Sequence, residues 1–406
     1  MKKVFYGKAV YNSKEINAVT SVLKNTPLTL IDGPKVKELE KKIAKVFGKK
    51  YGVMVNSGSS ANLLALTSLN FKPGSEVITP ILTFSTTVAP MYQLNLMPHF
   101  IDVEKNKFIA DINQIEKCVN KKTKAIMIPN LLGNIPDWIK IQKIAKKYKL
   151  NIIEDSADTI GYSINGKTTG NISDVVTCSF YASHIITGAG FGGIVCFNDK
   201  KLYQRALLFR GWGRSSALFG ESESLNARFN NKLNGMKYDS KYIFSEMGYN
   251  FLPSELSAAF ALEQLKKLKN NIKIREYNFN LFYQLIHKNL SDYFDLPEQQ
   301  KNVKTGWLAF PLLVKKNKFF DRNNLQIYLE KKNIQTRTIF TGNILKQPVM
   351  KNRKYKKLKN VGQISDLIMK NGILLGCHHG MKKNEILYMY KCISEFIRKK
   401  TKYNYQ

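Results

Sequence analysis

Asn151-Ile152-Ile153-Glu154-Asp155-Ser156-Ala157-Asp158 is an apolar run that turns acidic at its end. Residues 151–153 read as a buried strand, which puts the acids at the C-terminal edge of a sheet, where open α/β folds bind ligands. Taken alone, the acids equally fit a surface loop or a helix cap. The flanking sequence decides the fold class. Residues 76–79 and 124–128 are similar short apolar runs between turns or polar residues, as expected of parallel strands covered on both faces. Residues 51–55, 175–180 and 193–197 continue the strand pattern. Between them, Val36, Leu39, Ile43 and Val46 recur at helical spacing, with Gly48 placed to cap that helix, and residues 61–69 and 139–148 read as further helices. Strands alternating with helices predict an α/β layered domain with a mostly parallel central sheet.

After about residue 250 the character changes. Residues 253–269 and 272–290 read as two long helices, 307–314 as a strand, 324–332 as a helix, 336–340 as a short strand and 384–398 as a closing amphipathic helix. This predicts a smaller C-terminal α+β domain, with a division into residues 1–265 and 266–406.

The 406 residues are 44% hydrophobic, enough for a large core or two domains. Neither a signal peptide nor a run approaching the roughly 18–20 apolar residues of a membrane span is present, so a soluble cytoplasmic protein is expected, with no membrane partner. The five cysteines are scattered without a C-x-x-C pair, so buried free thiols are expected and no metal site. The net charge of +34 raises nucleic acid as a partner class. The lysines are nevertheless spread along the whole chain, with no basic arm, zinc finger or RNA-binding signature. An anionic small substrate is the better expectation, and no nucleic acid.

Several segments could carry chemistry. Asn56-Ser57-Gly58-Ser59-Ser60-Ala61-Asn62 lies between a strand and a helix, where small residues let backbone N–H groups approach an anion, or where an ordinary turn is capped. Phe84 reads by itself as a core aromatic. His99, His287, His378 and His379 lack metal-ligand spacing, and the adjacent pair suits a turn as well as a site. His184 lies in Ser179-Phe180-Tyr181-Ala182-Ser183-His184, ahead of Gly188-Ala189-Gly190-Phe191-Gly192-Gly193.

These segments, in this order, resemble the DegT/DnrJ/EryC1/StrS family of enzymes that modify nucleotide sugars with pyridoxal 5′-phosphate (PLP). The resemblance runs from Thr26-Pro27-Leu28-Thr29 and Gly33-Pro34 to the last helix. It implies the fold-type I, aspartate aminotransferase-like fold and a homodimer with shared active sites. It also implies cofactor contacts: Asp155 on the pyridine nitrogen, Ser59, Ser60 and Ser179 on the phosphate, Phe84 stacked on the ring and Asp158 near the 3-oxygen. Asn250 would reach the phosphate of the neighbouring subunit. In the aminotransferases of this family a lysine that bonds the cofactor stands where this chain has His184. Histidine there resembles the 3-dehydratase branch. So do the Gly211-Trp212-Gly213-Arg214 segment and Thr336-Arg337-Thr338-Ile339-Phe340-Thr341-Gly342-Asn343 continuing to Gln347-Pro348. The loop after His184 is one residue longer than the common pattern, with Gly190-Phe191-Gly192-Gly193 in place of Gly-Glu-Gly-Gly.

The resemblance thus implies C3 dehydration of a nucleotide-linked 4-keto-6-deoxy sugar, with pyridoxamine 5′-phosphate (PMP) as the resting cofactor and His184 as general base. No cysteine lies between Gly211 and Asn250. An iron–sulfur cluster is therefore not expected, and L-glutamate is the expected amino donor. Arg214, Arg337 and Asn343 are candidate contacts for the sugar or its diphosphate, or equally members of surface salt bridges. The competing readings are a nucleotide-sugar aminotransferase using a displaced lysine such as Lys167, and a non-catalytic relative that binds PLP or a nucleotide sugar.

Overall fold

A computed structural model of the chain describes residues 3–26, 30–168, 170–219, 224–230 and 232–402. Pro27, Leu28 and Thr29 of the N-terminal segment lie outside the described residues. The first unit runs through α1 (Ser13–Asn25), α2 (Pro34–Val46), β1 (Tyr51–Val55), α3 (Gly58–Leu69), β2 (Glu76–Pro80), α4 (Ser85–Gln93) and β3 (Met97–Ile101). It continues with β4 (Thr123–Pro129), α5 (Trp138–Tyr148), β5 (Asn151–Asp155), β6 (Val175–Ser179), β7 (Gly193–Phe197) and α6 (Lys200–Arg210).

Successive side chains on a strand face opposite ways, so an uninterrupted apolar run needs cover on both faces. That is how the core divides. Met54, Ile126, Ile152, Val176 and Ile194 pack with the apolar stripe of α2 and with Trp138 and Ile141 of α5. Their neighbours Val53, Val55, Ala125, Met127, Ile153 and Val195 pack with Leu64 of α3, Met91 of α4 and Ala206 of α6. The sheet order is β1-β7-β6-β5-β4-β2-β3, and the two-residue strand Lys356–Lys357 adds an eighth member at the edge. Within it, β7 alone runs antiparallel to its neighbours. Consequently β1, β5 and β6 all end at one edge of the sheet, and β7 starts there, with Gly193 in register with both Val55 and Ser179.

The second unit contains α7 (Glu255–Leu290), β8 (Ala309–Val314), α8 (Arg322–Lys331), α9 (Gln363–Asn371), β9 (Gly372–Gly376) and α10 (Lys383–Lys402). β8 lies between Phe294–Asp295 and β9 in an antiparallel sheet. Two expectations are corrected here. The two helices expected over 253–269 and 272–290 are one helix of 36 residues. Asn270-Asn271 looked like a break, but it contains neither glycine nor proline, and asparagine costs a helix interior well under 1 kcal/mol relative to alanine. The short strand expected over 336–340 is a single bridge between Arg337 and Leu374. Positive φ at Phe340 (46°) and Gly342 (64°) turns the chain away from the sheet there.

The division expected at residues 265/266 falls inside α7. The helix buries Ala258, Ala261, Leu262 and Leu268 in the core of the large sheet, and Phe279, Phe282, Ile286 and Leu290 in that of the small one. Among the described residues, no helix is long and apolar enough to cross a membrane.

Candidate active site

The sheet edge where β1, β5 and β6 end gathers most of the expected residues. Ser57 caps α3, its Oγ accepting from the Ser60 amide at 3.0 Å. The Ser60 hydroxyl donates to Asn56 Oδ1 at 2.6 Å, and the Ser59 hydroxyl to Thr86 Oγ1 at 3.0 Å. The first-turn amides of α3 have no partner within the helix, so this end attracts an anion. Ser179, at the end of β6, forms its wall. A Cβ on Gly58 would stand 2.6 Å from Ser179 Cβ, and one on Gly193 would stand 2.4 Å from the Ser57 carbonyl carbon. Only glycine lets the three segments meet this closely.

Asp155, the last residue of β5, is buried. Its Oδ2 accepts from Asn62 Nδ2 at 2.9 Å and from Thr87 Oγ1 at 2.8 Å, and its Oδ1 from the Ala157 amide at 3.1 Å. Asn62 is held for this task by the Thr177 hydroxyl, which donates to Asn62 Oδ1 at 2.6 Å. Burial raises the pKa of Asp155, and the Thr87, Asn62 and Ala157 donors oppose it. No lysine, arginine or histidine among the described residues forms an ion pair with it, so a buried carboxyl supplied with neutral donors lacks only a cation.

Asp158, three residues on, is treated differently. One donor reaches it, the Leu132 amide on Oδ2 at 2.9 Å. Burial pushes its pKa up to about 7, the Leu132 amide opposes this, Asp155 adds to it and Arg275 pulls it down. Its Oδ1 stands 4.0 Å from His184 Nε2. The His184 amide donates to the Tyr181 carbonyl at 3.1 Å, and the Tyr181 ring meets the imidazole edge-on at 5.8 Å. His184 Nδ1 is buried without a hydrogen bond. Burial lowers the His184 pKa to about 4, against the backbone of Ser179 and with the help of Arg275, so the imidazole is neutral at ordinary pH.

Phe84 is the N-cap of α4 and leaves half its surface open, contrary to a core role, with Phe340 edge-on at 6.3 Å. Thr86 and Thr87 follow it in the first turn of the same helix. The loop around His184 closes on itself through bridges between Gly188 and Phe191 and between Tyr181 and Gly190, and Phe191 is exposed. Lys167 sits exposed in the hairpin of Ser163–Ile164 and Lys167–Thr168.

The remaining expected residues stand apart from this cluster. Arg214 lies against aromatic rings, its guanidinium 4.3 Å from Trp212 and 5.7 Å from Tyr242. Asn250 is exposed on a bridge to Gly211. Arg337 is exposed, 5.8 Å from the Tyr6 ring. Asn343 is buried with both ends of its amide engaged, donating to Asp366 Oδ1 at 2.8 Å and accepting from the Leu345 amide at 2.9 Å. Sequence reasoning missed Thr86, Thr87, Tyr6 and Arg275, and gave Asn62 no separate role. Arg275 is fully buried in α7, donating to His379 Nδ1 at 3.2 Å and to the carbonyls of Trp307 (3.2 Å) and Leu308 (2.9 Å). A single arginine in an amphipathic helix carries no sequence signal of such a place.

Comparison with known proteins identifies the family. The model of the DegT/DnrJ/EryC1/StrS aminotransferase family matches residues 10–394. GDP-4-keto-6-deoxy-D-mannose 3-dehydratase of Yersinia pseudotuberculosis is 34% identical over 385 residues, covering 91% of this chain and 93% of the relative. The E. coli GDP-4-keto-6-deoxy-D-mannose-3-dehydratase, solved with bound hydrated PLP, superposes with a TM-score of 0.85 at 33% identity, over 96% of this chain and 100% of that one. A GDP-4-keto-6-deoxymannose-3-dehydratase with a trapped PLP-glutamate geminal diamine gives 0.85 at 31% identity, over 96% and 100%. The fold is the α/β fold of PLP-dependent aminotransferase-like proteins.

Proposed function

The chain belongs to the DegT/DnrJ/EryC1/StrS aminotransferase family, and we propose that it is a PLP/PMP-dependent sugar 3-dehydratase, removing the C3 hydroxyl of a nucleotide-linked 4-keto-6-deoxy sugar. The observation that carries this reading is His184: a neutral, mostly buried imidazole at the cofactor-lysine position, with an acid beside it. An imidazole cannot hold the cofactor covalently, but it can take up and return a proton.

The site fits the cofactor on its own terms. A cation-deficient buried carboxyl at Asp155 suits a protonated pyridine nitrogen, and the glycine-lined first turn of α3 suits a phosphate. In this reading Ser59, Ser60 and Ser179 hold the phosphate, Phe84 covers the ring and Asp158 faces the 3-oxygen. When bound, the cofactor supplies an electron sink and an amine for the 4-keto group. His184 then does the proton work, removing a proton through Nε2 and returning it to the departing C3 hydroxyl, which leaves as water. Asp155 keeps the pyridine nitrogen protonated. The nitrogen lent to the 4-keto carbon would leave as ammonia when the product hydrolyses, and L-glutamate would restore the amine form. Arg214 and Arg337 recognise the sugar or its diphosphate, while the Asn343 amide is engaged by Asp366 of α9 and by the Leu345 amide.

A second copy of the chain completes the site, bringing its own Asn250 to the phosphate. Phe191 (71% exposed), Leu225 (73%) and Met247 (93%) offer it an apolar surface.

Incubation with PLP, L-glutamate and a panel of GDP-, CDP-, UDP- and dTDP-linked 4-keto-6-deoxy sugars tests the reading by mass spectrometry. The expected product has lost one oxygen. A product that instead carries a new amino group, or borohydride trapping of PLP on a lysine, would identify an aminotransferase. No turnover of any sugar, with PLP never converted to PMP by glutamate, would identify a binding protein.

A further inference from the structure

Asp155 and Asp158 are two buried acids three residues apart in opposite environments. Asp155 receives three hydrogen bonds, and Asp158 one. That single donor occupies Asp158 Oδ2 and leaves Oδ1 on the side of His184 Nε2, 4.0 Å away. The gap is about 1 Å too long for a hydrogen bond but short enough for a direct charge–charge interaction. The other imidazole nitrogen, Nδ1, is sealed from solvent. Nε2 is thus the atom left to meet substrate, with the acid beside it.

Resting on the dehydratase reading above, we propose that Asp158 is the counter-charge of His184: its ionised Oδ1 stabilises the imidazolium that forms when Nε2 collects the proton, until Nε2 returns that proton to the departing hydroxyl. No further reactant is needed. One C–H bond and one C–O bond break in the substrate–cofactor pair, His184 carries the proton between them, and one water leaves. Asp158 acts through His184, as a positioning residue whose carboxylate makes the charged ring tolerable.

The groups around the pair explain why a partner is required. Arg275 of α7 opposes a second positive charge on His184, and burial opposes it more strongly. An imidazolium alone is therefore disfavoured. An ionised Asp158 beside it removes the difficulty by supplying the opposite charge. Asp155 at the end of β5 raises the proton affinity of Asp158, Arg275 and the Leu132 amide lower it, and Tyr6 from the N-terminal segment faces the same acid. With Asp158 poised near pH 7, the counter-charge is present above that pH and lost below it, where the acid holds a proton.

Asp158→Asn and Asp158→Glu test this in two separate ways. The first needs no turnover: histidine-15N NMR of the cofactor-free protein from pH 5 to 9. A step in the His184 signals near pH 7 is expected in the wild type, absent in D158N and restored in D158E. Identical titrations in wild type and D158N would overturn the proposal. The second uses the PLP-loaded enzyme, with cofactor occupancy checked by absorbance. D158N is expected to lose about tenfold or more in kcat, with KM little changed, together with the acidic limb of the pH profile. A loss with an unshifted profile would make Asp158 merely structural, and the counter-charge role would fall. If the wild type deoxygenates no sugar, the dehydratase reading fails by itself, while the NMR comparison still judges the coupling.

Discussion

Gly58 shows how little room the site leaves. Any side chain there must push against Ser179, the residue closing the anion cradle from the neighbouring strand. Gly58→Ala is therefore expected to weaken PLP affinity about tenfold, from the 1–3 kcal/mol typical of overpacking, while the fold survives. Equilibrium titration of PLP by absorbance checks this, and unchanged affinity would mean that α3 does not form the cradle. His184→Lys probes the opposite side. The new amine would inherit the burial and the Arg275 field that depress the imidazole pKa, so part of it would be neutral and nucleophilic at ordinary pH. Loss of 3-deoxygenation by about 10²-fold or more is expected, along with borohydride-trappable PLP on residue 184. Retained deoxygenation would remove His184 from the chemistry.

At the scale of elements, the strands that built the site were legible because each had to be apolar on both faces. Residues 51–55 and 193–197 match β1 and β7 to the residue, and the acids of 151–158 stand where the ending of β5 puts them. What escaped was anything whose role depends on a distant partner. Asn62 and Thr87 matter because two helices converge on Asp155, and Arg275 matters because α7 passes behind the pocket. β9 escaped too, since Ile373-Leu374-Leu375 follows α9 with only Gly372 to mark the change. The misjudged break in α7 is itself testable. Asn270 is exposed and mid-helix, so Asn270→Ala should stabilise the protein by about 0.5 kcal/mol. Chemical denaturation measures it, and a neutral or destabilising result would favour two helices with a hinge between them.

Across the whole molecule, stability at acid pH draws on two buried histidines held neutral. His378 Nδ1 accepts from the Gly380 amide at 3.2 Å, which leaves the proton on Nε2 for the Phe5 carbonyl at 3.2 Å. His379 Nδ1 accepts from Arg275 Nε at 3.2 Å, which fixes its tautomer in the same way. A proton added to either ring would break one of these bonds and stand beside a buried guanidinium. Burial first, and Arg275 next, lower both pKa values to about 3. The unfolded chain takes up these protons below about pH 6.5 while the folded chain refuses them until about pH 3, so the contribution of these two histidines is complete above pH 6.5 and drains away as pH falls. At pH 5 each histidine should cost about 2 kcal/mol relative to pH 7.5. His379→Gln keeps an acceptor for Arg275 but cannot take up a proton. The variant is expected to start less stable at pH 7.5 and to lose less on acidification than the wild type, read as a flatter plot of unfolding free energy against pH. Parallel plots would show that His379 already shares its proton in the folded state, and that the Arg275 field is relieved by a counter-charge.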